Sequence, residues 1–469
     1  MLDVGCFPAW KARVTAMNSS IPLATLAPTH SLLRVLSLAD YNTRVVVLGT
    51  VMLGIAAGVI GTFMLLRKRA LMGDAVSHAT LPGIGIAFLL MTAAGGTGRW
   101  LPGLLAGATV AGLLGMGAVL LIRQQTRLKE DAALGIVLSV FFGLGVAILG
   151  IIQQQTFGHA AGLESFIYGK TASMLARDAW LIAGAAALVL AVCLILFKEF
   201  GLLCFDTEYA RALGWSAGAL DVTMMVLVVL VTVIGLQAVG LILMIALLTI
   251  PPAAARFWTH HLSHMLWISA LIGGASGLVG SLLSALQPRL PAGAIIVVAA
   301  GTLFLLSMIF GTARGVLLRV RERSRVVTRV RSQNLLRDCY EWHERLTAPG
   351  ANVPLGDALA ESALRAERAW TRHEFAAALR AAARQHLLTR LPDGHLRLTA
   401  AGEAATRRVV RNHRLWELYL LTHADIAAVH VDDTADAVEH VLGPALTARL
   451  EALAGPDLPA NIVPPEPAR

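Results

Sequence analysis

The chain has 469 residues, of which 56% are hydrophobic and 15% charged; its mean hydropathy is +0.67 and its formal net charge is +9. Soluble domains are about 45–50% apolar and about 25% charged, so this composition excludes a wholly soluble protein and calls for several membrane spans. The basic balance does not in itself indicate nucleic acid, because Lys and Arg of membrane proteins collect on cytosolic loops and beside anionic lipid.

The composition shifts once. Eighteen of the 30 acidic residues lie after residue 330, and from about residue 320 onward no long apolar run occurs. Four regions follow from that shift: a poorly structured N-terminal segment (1–40), a membrane domain (41–315), a basic juxtamembrane linker (316–332) and a cytosolic domain (333–469). No short apolar core with a small-residue cleavage site stands at the N-terminus, so no signal peptide is expected, and Met17 is an alternative start. Cys6, Cys193, Cys204 and Cys339 are scattered without a CxxC pair, which points to reduced thiols.

In chain order, long apolar segments run over roughly 45–66, 75–94, 101–122, 132–152, 179–197, 221–236, 238–256, 265–286 and 292–311. Most reach the roughly 20 residues a helix needs to cross the hydrocarbon layer, giving about nine spans in an all-α polytopic fold. Gly235 and Gly240 punctuate the sixth and seventh segments, as a tight hairpin or a broken helix would. Basic residues follow alternate segments: Arg67-Lys68-Arg69, then Arg123, Arg127 and Lys129, then Lys198, Arg256, and Arg314, Arg319 and Arg321. That alternation puts the N-terminus outside and the C-terminus in the cytosol. Gly54/Gly58, Gly103/Gly107 and Gly273/Gly277 are small-xxx-small pairs that let helices approach closely.

The segment Leu71–Gly85, LMGDAVSHATLPGIG, places Asp74 and His78 four apart and so on one helix face. A carboxylate beside an imidazole suits Zn, Mn or Fe(II). Alternatively, Asp74 caps the second helix and His78 packs at its cytosolic edge. Further on, FDTEYARALGW lies between two spans; Phe205, Tyr209, Ala212 and Leu213 share an apolar face, with Asp206, Glu208 and Arg211 turned to solvent or a partner. His260, His261 and His264 fall in a short loop, where a polar juxtamembrane turn is the plainer reading. Gly169-Lys170-Thr171 would complete a Walker A loop only with glycine at 164, where the chain has Glu164, so ATP hydrolysis is expected on another polypeptide.

The stretch YNTRVVVLGT together with LLRKRALMGDAVSHATLPG resembles the permease family of zinc-, manganese- and iron-importing ABC transporters. Lys198–Gly214, Gln237–Ala255 and Leu290–Phe310 extend the similarity over about 40–315. The resemblance implies a fold similar to type II ABC importers, a second permease copy or paralogue, cytosolic ATPase subunits and an extracytoplasmic metal-binding protein. It makes Asp74 and His78 transient ligands of the transported divalent metal (Mn, Zn or Fe), with no permanent cofactor. It also makes Phe205, Asp206, Glu208, Tyr209, Ala210, Arg211 and Gly214 the coupling contact to the ATPase.

Beyond residue 331, amphipathic helices are predicted over 334–347, 355–369, 371–387, 400–421 and 433–453, with a β-hairpin at Thr389–Thr399 turning on Asp393-Gly394. Helices followed by a small hairpin form a winged-helix pattern. LTAAGEAATRRVVRNHRLWELYL and DDTADAVEHVL then resemble the iron- and manganese-dependent transcriptional repressors of the diphtheria-toxin-repressor type. That resemblance implies a regulatory Mn or Fe(II) site at His413, Glu417, Asp436, Glu439 and His440, and DNA contacts from Arg372, Arg380 and Arg384. The chain departs from the pattern near Asn334 and Arg337, because an arginine stays protonated and offers no acceptor to a cation. Two rivals remain at this stage: a membrane-anchored metal-responsive regulator, and a siderophore- or cobalamin-type permease with a wider path.

Overall fold

The structure is a computed structural model that describes residues 37–96, 100–154, 171, 174–286, 291–347, 353–368, 370–423 and 444–454. The chain divides into two compact units, 1–318 and 319–469.

The first unit is a helical bundle. Its described helices are α1 (Tyr41–Leu66), α2 (Met72–Ala93), α3 (Leu101–Gln125), α4 (Glu130–Gln154), α5 (Ala176–Ile195), α6 (Phe197–Phe205), α7 (Thr207–Ala212), α8 (Ala217–Val239), α9 (Leu241–Ala255), α10 (Leu262–Leu286) and α11 (Ala292–Phe310). Eight of them (α1 to α5, α8, α10 and α11) are long and apolar enough to cross a membrane. Helices α1 and α8 are the most buried, whereas α4, α5 and α11 expose most of their surface, as helices facing lipid or another subunit do.

The seventh expected span, 238–256, needs a correction in form. Helix α8 runs on to Val239, and α9 has only 15 residues, about 22 Å of rise. The chain turns at Gly240, whose φ of 85° and ψ of 170° suit only glycine. A Cβ on Gly235 would meet the Met244 sulfur at 2.3 Å, so α9 folds back along α8 rather than prolonging it. Yet α9 with its flanks matches α11 end to end. Gly293 lies against the Val239 carbonyl at one end, and at the other the Phe257 carbonyl accepts from the Ala313 amide at 2.9 Å. The short helix and its turn therefore complete the crossing that α9 alone is too short to make.

The crossing of α1 and α10 is built from two of the glycine pairs. A Cβ on Gly54 would sit 2.2 Å from the Gly273 carbonyl oxygen, and one on Gly273 would sit 2.1 Å from the Gly54 oxygen. Around this backbone contact Ser269 Oγ donates to the Gly58 carbonyl at 2.7 Å, and Thr50 and Ser281 share a hydroxyl bond at 2.8 Å. Gly107 crosses Gly83 of α2 in the same way.

The second unit begins within α12 (Val316–Leu346) and contains α13 (Glu361–Glu367), α14 (Arg372–Arg384), β1 (Leu388–Arg390), β2 (Leu396–Leu398), α15 (Ala400–His423) and α16 (Pro444–Ala454). The stretch 316–332, assigned to a linker, is helical: its run of Arg, Glu, Leu and Val contains no breaker. The hairpin is present, with Leu388 opposite Leu398 and Gly394 at φ 85° in the turn. The helix expected over 355–369 shrinks to seven residues because Leu359 pairs with Leu396, each amide donating to the other's carbonyl (2.7 and 2.8 Å). Only 444–454 of the helix expected over 433–453 lies within the described residues. Leu335, Leu336, Cys339, Leu364, Phe375, Leu396 and Val410 form this unit's core.

Gly54→Leu should prevent α1 and α10 from closing. The expected result is loss of the monodisperse peak of the solubilised protein in size-exclusion chromatography; Gly117→Leu, with open space around it, should leave that peak unchanged.

Candidate functional site

Asp74 is the third residue of α2, whose first turn shows no side-chain cap. Its carboxylate turns instead along the helix to His78, with Nε2 to Oδ1 at 3.3 Å. Both side chains are half-buried while Ala75, Val76, Ser77 and Ala79 around them are buried. The His78 ring meets Phe142 of α4 edge to face, centroids 4.8 Å apart. One turn further, Pro82 lies inside the helix and has no N–H, so the His78 carbonyl cannot receive the regular i+4 hydrogen bond. The helix thus presents a carboxylate, an imidazole and a loosened carbonyl at one level. Among the described residues no group of three or more His, Cys, Asp or Glu could hold an ion. His260, His261 and His264 are exposed; the rings of His261 and His264 meet edge to face with centroids 5.7 Å apart, but the three do not form a metal-holding group, which favours the polar-turn reading.

Below this pair lies a charge cluster that the sequence reading used only as an orientation signal. Arg67 ends α1 and Arg69 sits in the turn before α2, with 1% of its surface exposed. Both clasp Asp221 of α8: Arg69 through Nη1 and Nη2 in bidentate fashion, at 3.0 and 3.1 Å, and Arg67 through Nη2 alone to both oxygens, at 3.0 and 3.1 Å. Arg69 Nε also pairs with Glu130 at the start of α4, and Arg123 approaches Glu130 at 3.6 Å and Asp221 at 3.8 Å. Removing one partner from such a buried set leaves an uncompensated charge, at a cost of about 3–5 kcal/mol. Nothing local in the sequence pairs Asp221 with residues some 150 positions away. The available signal was a lone carboxylate near the start of an apolar span, which needs a partner.

Arg67 reaches one element more. Its Nη1 donates to the Leu203 carbonyl at 2.9 Å and to Thr207 Oγ1 at 3.2 Å, which are the last turn of α6 and the first residue of α7. These two short helices form an elbow. Phe200 and Leu203 are buried, with Phe200 edge-on to Phe63 of α1 at 5.3 Å. Asp206 caps α7 by accepting from the Tyr209 amide at 2.9 Å, Arg211 pairs with Glu208 at 2.8 Å, and Gly214 leaves the helix at φ 87°. Ala210 faces inward and is fully buried; Phe205, Tyr209, Leu213 and Trp215 are exposed.

In the second unit Phe375, Ala378, Ala381 and Ala382 of α14 point to the core, leaving Arg372, Arg380 and Arg384 exposed. Arg380 and Arg384 each donate an Nε to their own helix backbone, at 3.1 and 3.2 Å. Of the regulatory metal set, Asp436, Glu439 and His440 lie outside the described residues. His413 is buried and its Nε2 lies 3.3 Å from Glu417. Its Nδ1, however, meets Arg337 Nη1 at 3.0 Å, and Arg337 Nε donates to Glu341 at 2.6 Å. Asp338, with no surface exposed, accepts from Trp370 Nε1 at 2.7 Å and from Arg368 Nε at 2.9 Å. Burial pushes its carboxyl up to about 6 against these two bonds, and nearby Glu341 adds to the rise.

Comparison with known proteins decides the family. Residues 39–311 match the ABC 3 transport family, more than half of the chain. The chain belongs to that family. Residues 399–456 match the iron dependent repressor, metal binding and dimerisation domain. The "Manganese transport system membrane protein MntC" of Bacillus subtilis is 37% identical over 398 residues, covering 85% of this chain and 88% of that protein. A match of that length continues past the family's region into the second unit. The "Zinc transport system membrane protein TroC" of Treponema pallidum is 43% identical over 297 residues, 63% of this chain and 97% of that protein. A solved structure, "PsaBC from Streptococcus pneumoniae in complex with Fab", aligns with a TM-score of 0.51 at 30% identity, covering 59% of this chain and 94% of that one. The second-unit match implies a resident metal, but the residues at His413 do not fit one: the imidazole lone pair that would bind a cation already faces a guanidinium.

The Asp338 shift carries a pH signature for the second unit. Between about pH 4 and 6 the folded state keeps a proton that the unfolded chain releases, so this contribution is full below pH 4 and lost as pH rises through 6. It amounts to no more than about 3 kcal/mol. Hydrogen exchange of α12 and α14, corrected for intrinsic rates, should show more protection at pH 5 than at pH 7 relative to Asp338→Asn, which removes this contribution.

Proposed function

We propose that the chain is the membrane-spanning permease subunit of an ATP-driven importer for divalent transition-metal ions, with a repressor-derived domain appended at its C-terminus. The observation that carries this reading is the Asp74–His78 pair, a carboxylate and an imidazole 3.3 Å apart on the inner face of an otherwise apolar span. A charged residue within a span costs about 2.5–3.5 kcal/mol on insertion scales and is by default functional. Mixed oxygen and nitrogen ligation suits Mn, Zn and Fe(II), and two of the relatives carry manganese and zinc in their names. Two side chains hold an ion weakly, and a transported ion must leave as readily as it arrives. A second permease copy or paralogue supplies further donors.

The chain sits in the bacterial inner membrane with its C-terminus in the cytosol. The ends bearing Arg67, Arg123, Lys198, Arg256 and Arg314 lie on the cytosolic side, in contact with anionic lipid. An extracytoplasmic metal-binding protein delivers the ion to the opposite face. The exposed apolar face of the elbow, with Phe205, Tyr209, Leu213 and Trp215, offers a helix to a groove on a cytosolic ATPase subunit, where ATP is hydrolysed. The side chains of Asp206, Glu208 and Arg211 set the polar rim of that contact. Alternating access follows when the elbow moves α2 and so opens the Asp74–His78 level to one side or the other. A siderophore or cobalamin path would need no ligand pair here.

Asp74→Asn combined with His78→Gln should abolish uptake of radioactive manganese or zinc in cells expressing the complete transporter, while the complex still purifies intact. Unchanged uptake would sink the pathway assignment. Competition between the two metals in the same assay identifies the cargo.

A further inference from the structure

The charge cluster at the cytosolic end of the bundle joins every element that the transport cycle must move together. Arg67 touches four of them: it ends α1, donates to the α6 carbonyl at Leu203, donates to Thr207 at the start of α7, and clasps Asp221 near the start of α8. Arg69 hangs on the same carboxylate, its own carbonyl accepts from the Met72 amide that opens α2, and it pairs with Glu130 at the start of α4. Asp74 lies in that first turn of α2, and α4 carries the Phe142 ring against His78. The turn between α1 and α2 is only five residues long, and Lys68 within it adopts a left-handed φ of 62°, so it is tightly constrained.

We infer that Arg67, anchored by Asp221, is the positioning residue that transmits movement of α7 to the helix bearing Asp74 and His78. The inference rests on the reading of α7 as the ATPase-docking helix. Neutralising Asp221 needs only the two arginines; the further bonds to Leu203 and Thr207 tie the buried end of α6 and the start of α7 to the same guanidinium. A guanidinium suits the task because its planar fork serves a carboxylate and a carbonyl simultaneously, which an ammonium does not.

The test uses the complete transporter in liposomes, with ATP hydrolysed per metal ion imported as readout. Thr207→Val removes the bond on the α7 side, together with the weak 3.4 Å bond from Thr207 Oγ1 to the Leu203 carbonyl; Arg67→Lys keeps the charge beside Asp221 but not the fork. Both should hydrolyse ATP at close to the wild-type rate, and Arg67→Lys should import about tenfold less metal, so the ratio rises. An unchanged ratio in both variants, whether the two activities persist or fall in parallel, overturns the inference. Failure of the docking reading is distinguishable: Tyr209→Ala and Phe205→Ala would then leave co-purification of the ATPase subunit unaffected.

A separate observation carries a second inference, in the second unit. Arg337 is buried and its guanidinium lies between Glu341 and His413, whose other nitrogen faces Glu417. We infer that Arg337 is a built-in cation standing where a metal ion would meet His413, so that this position is filled without metal. Manganese bound to the full-length chain, counted by electron paramagnetic resonance in the Asp74→Ala, His78→Ala background, should be the same with and without His413→Ala. Manganese binding that His413→Ala removes would overturn it.

Discussion

Asp221 carries one negative charge for two clasping arginines, and the cytosolic end of the bundle is organised around that imbalance. A buried carboxylate facing two guanidiniums is worth its desolvation only if its oxygens are satisfied and the surplus positive charge is met nearby. Here both oxygens accept twice, and Glu130 meets Arg69 from the other side. Satisfying all these groups forces the starts of α2, α4 and α8 and the elbow of α6 and α7 into one place. The basic triplet after α1 is therefore not a uniformly solvated cluster. Arg67 and Arg69 turn inward, and only Lys68 is exposed to act as a simple positive-inside marker.

The membrane half was legible where its causes are local. Hydropathy alone places the eight long helices, because a span of about 20 apolar residues has few other soluble fates. The spacing of Asp74 and His78 gives their shared face directly, and the structure turns one side chain to the other. The glycine pairs marked close approach but not the partner: Gly54 and Gly58 meet α10, while Gly107 meets Gly83, a residue of the helix that bears Asp74 and His78. The seventh segment was legible as apolar over 238–256 but not in its form, since hydropathy does not show that its helix has only 15 residues and gains its length from a flanking turn. The pairing of Asp221 was beyond reach, as its partners lie across the whole bundle.

The second unit shows the same division. Asp393-Gly394 announces the hairpin because a two-residue turn chemistry acts over a few positions. The helix expected over 355–369 is shortened to Glu361–Glu367 because Leu359 is recruited to the sheet by Leu396, a tertiary pairing that overrides local propensity. Arg337 was flagged by its chemistry alone, as a residue unable to ligate. The structure adds what it does instead, holding Glu341 and His413 with the charge that a metal would have brought.

The elbow has a consequence for the life of the protein in the cell. Phe205, Tyr209, Leu213 and Trp215, from the end of α6 through α7 to just beyond it, are between 42% and 69% exposed on the isolated chain. Contiguous exposed apolar surface of this kind recruits chaperones and proteases or drives aggregation. Docking of an ATPase subunit on this face, as proposed above, would cover these four side chains, which the chain alone leaves bare.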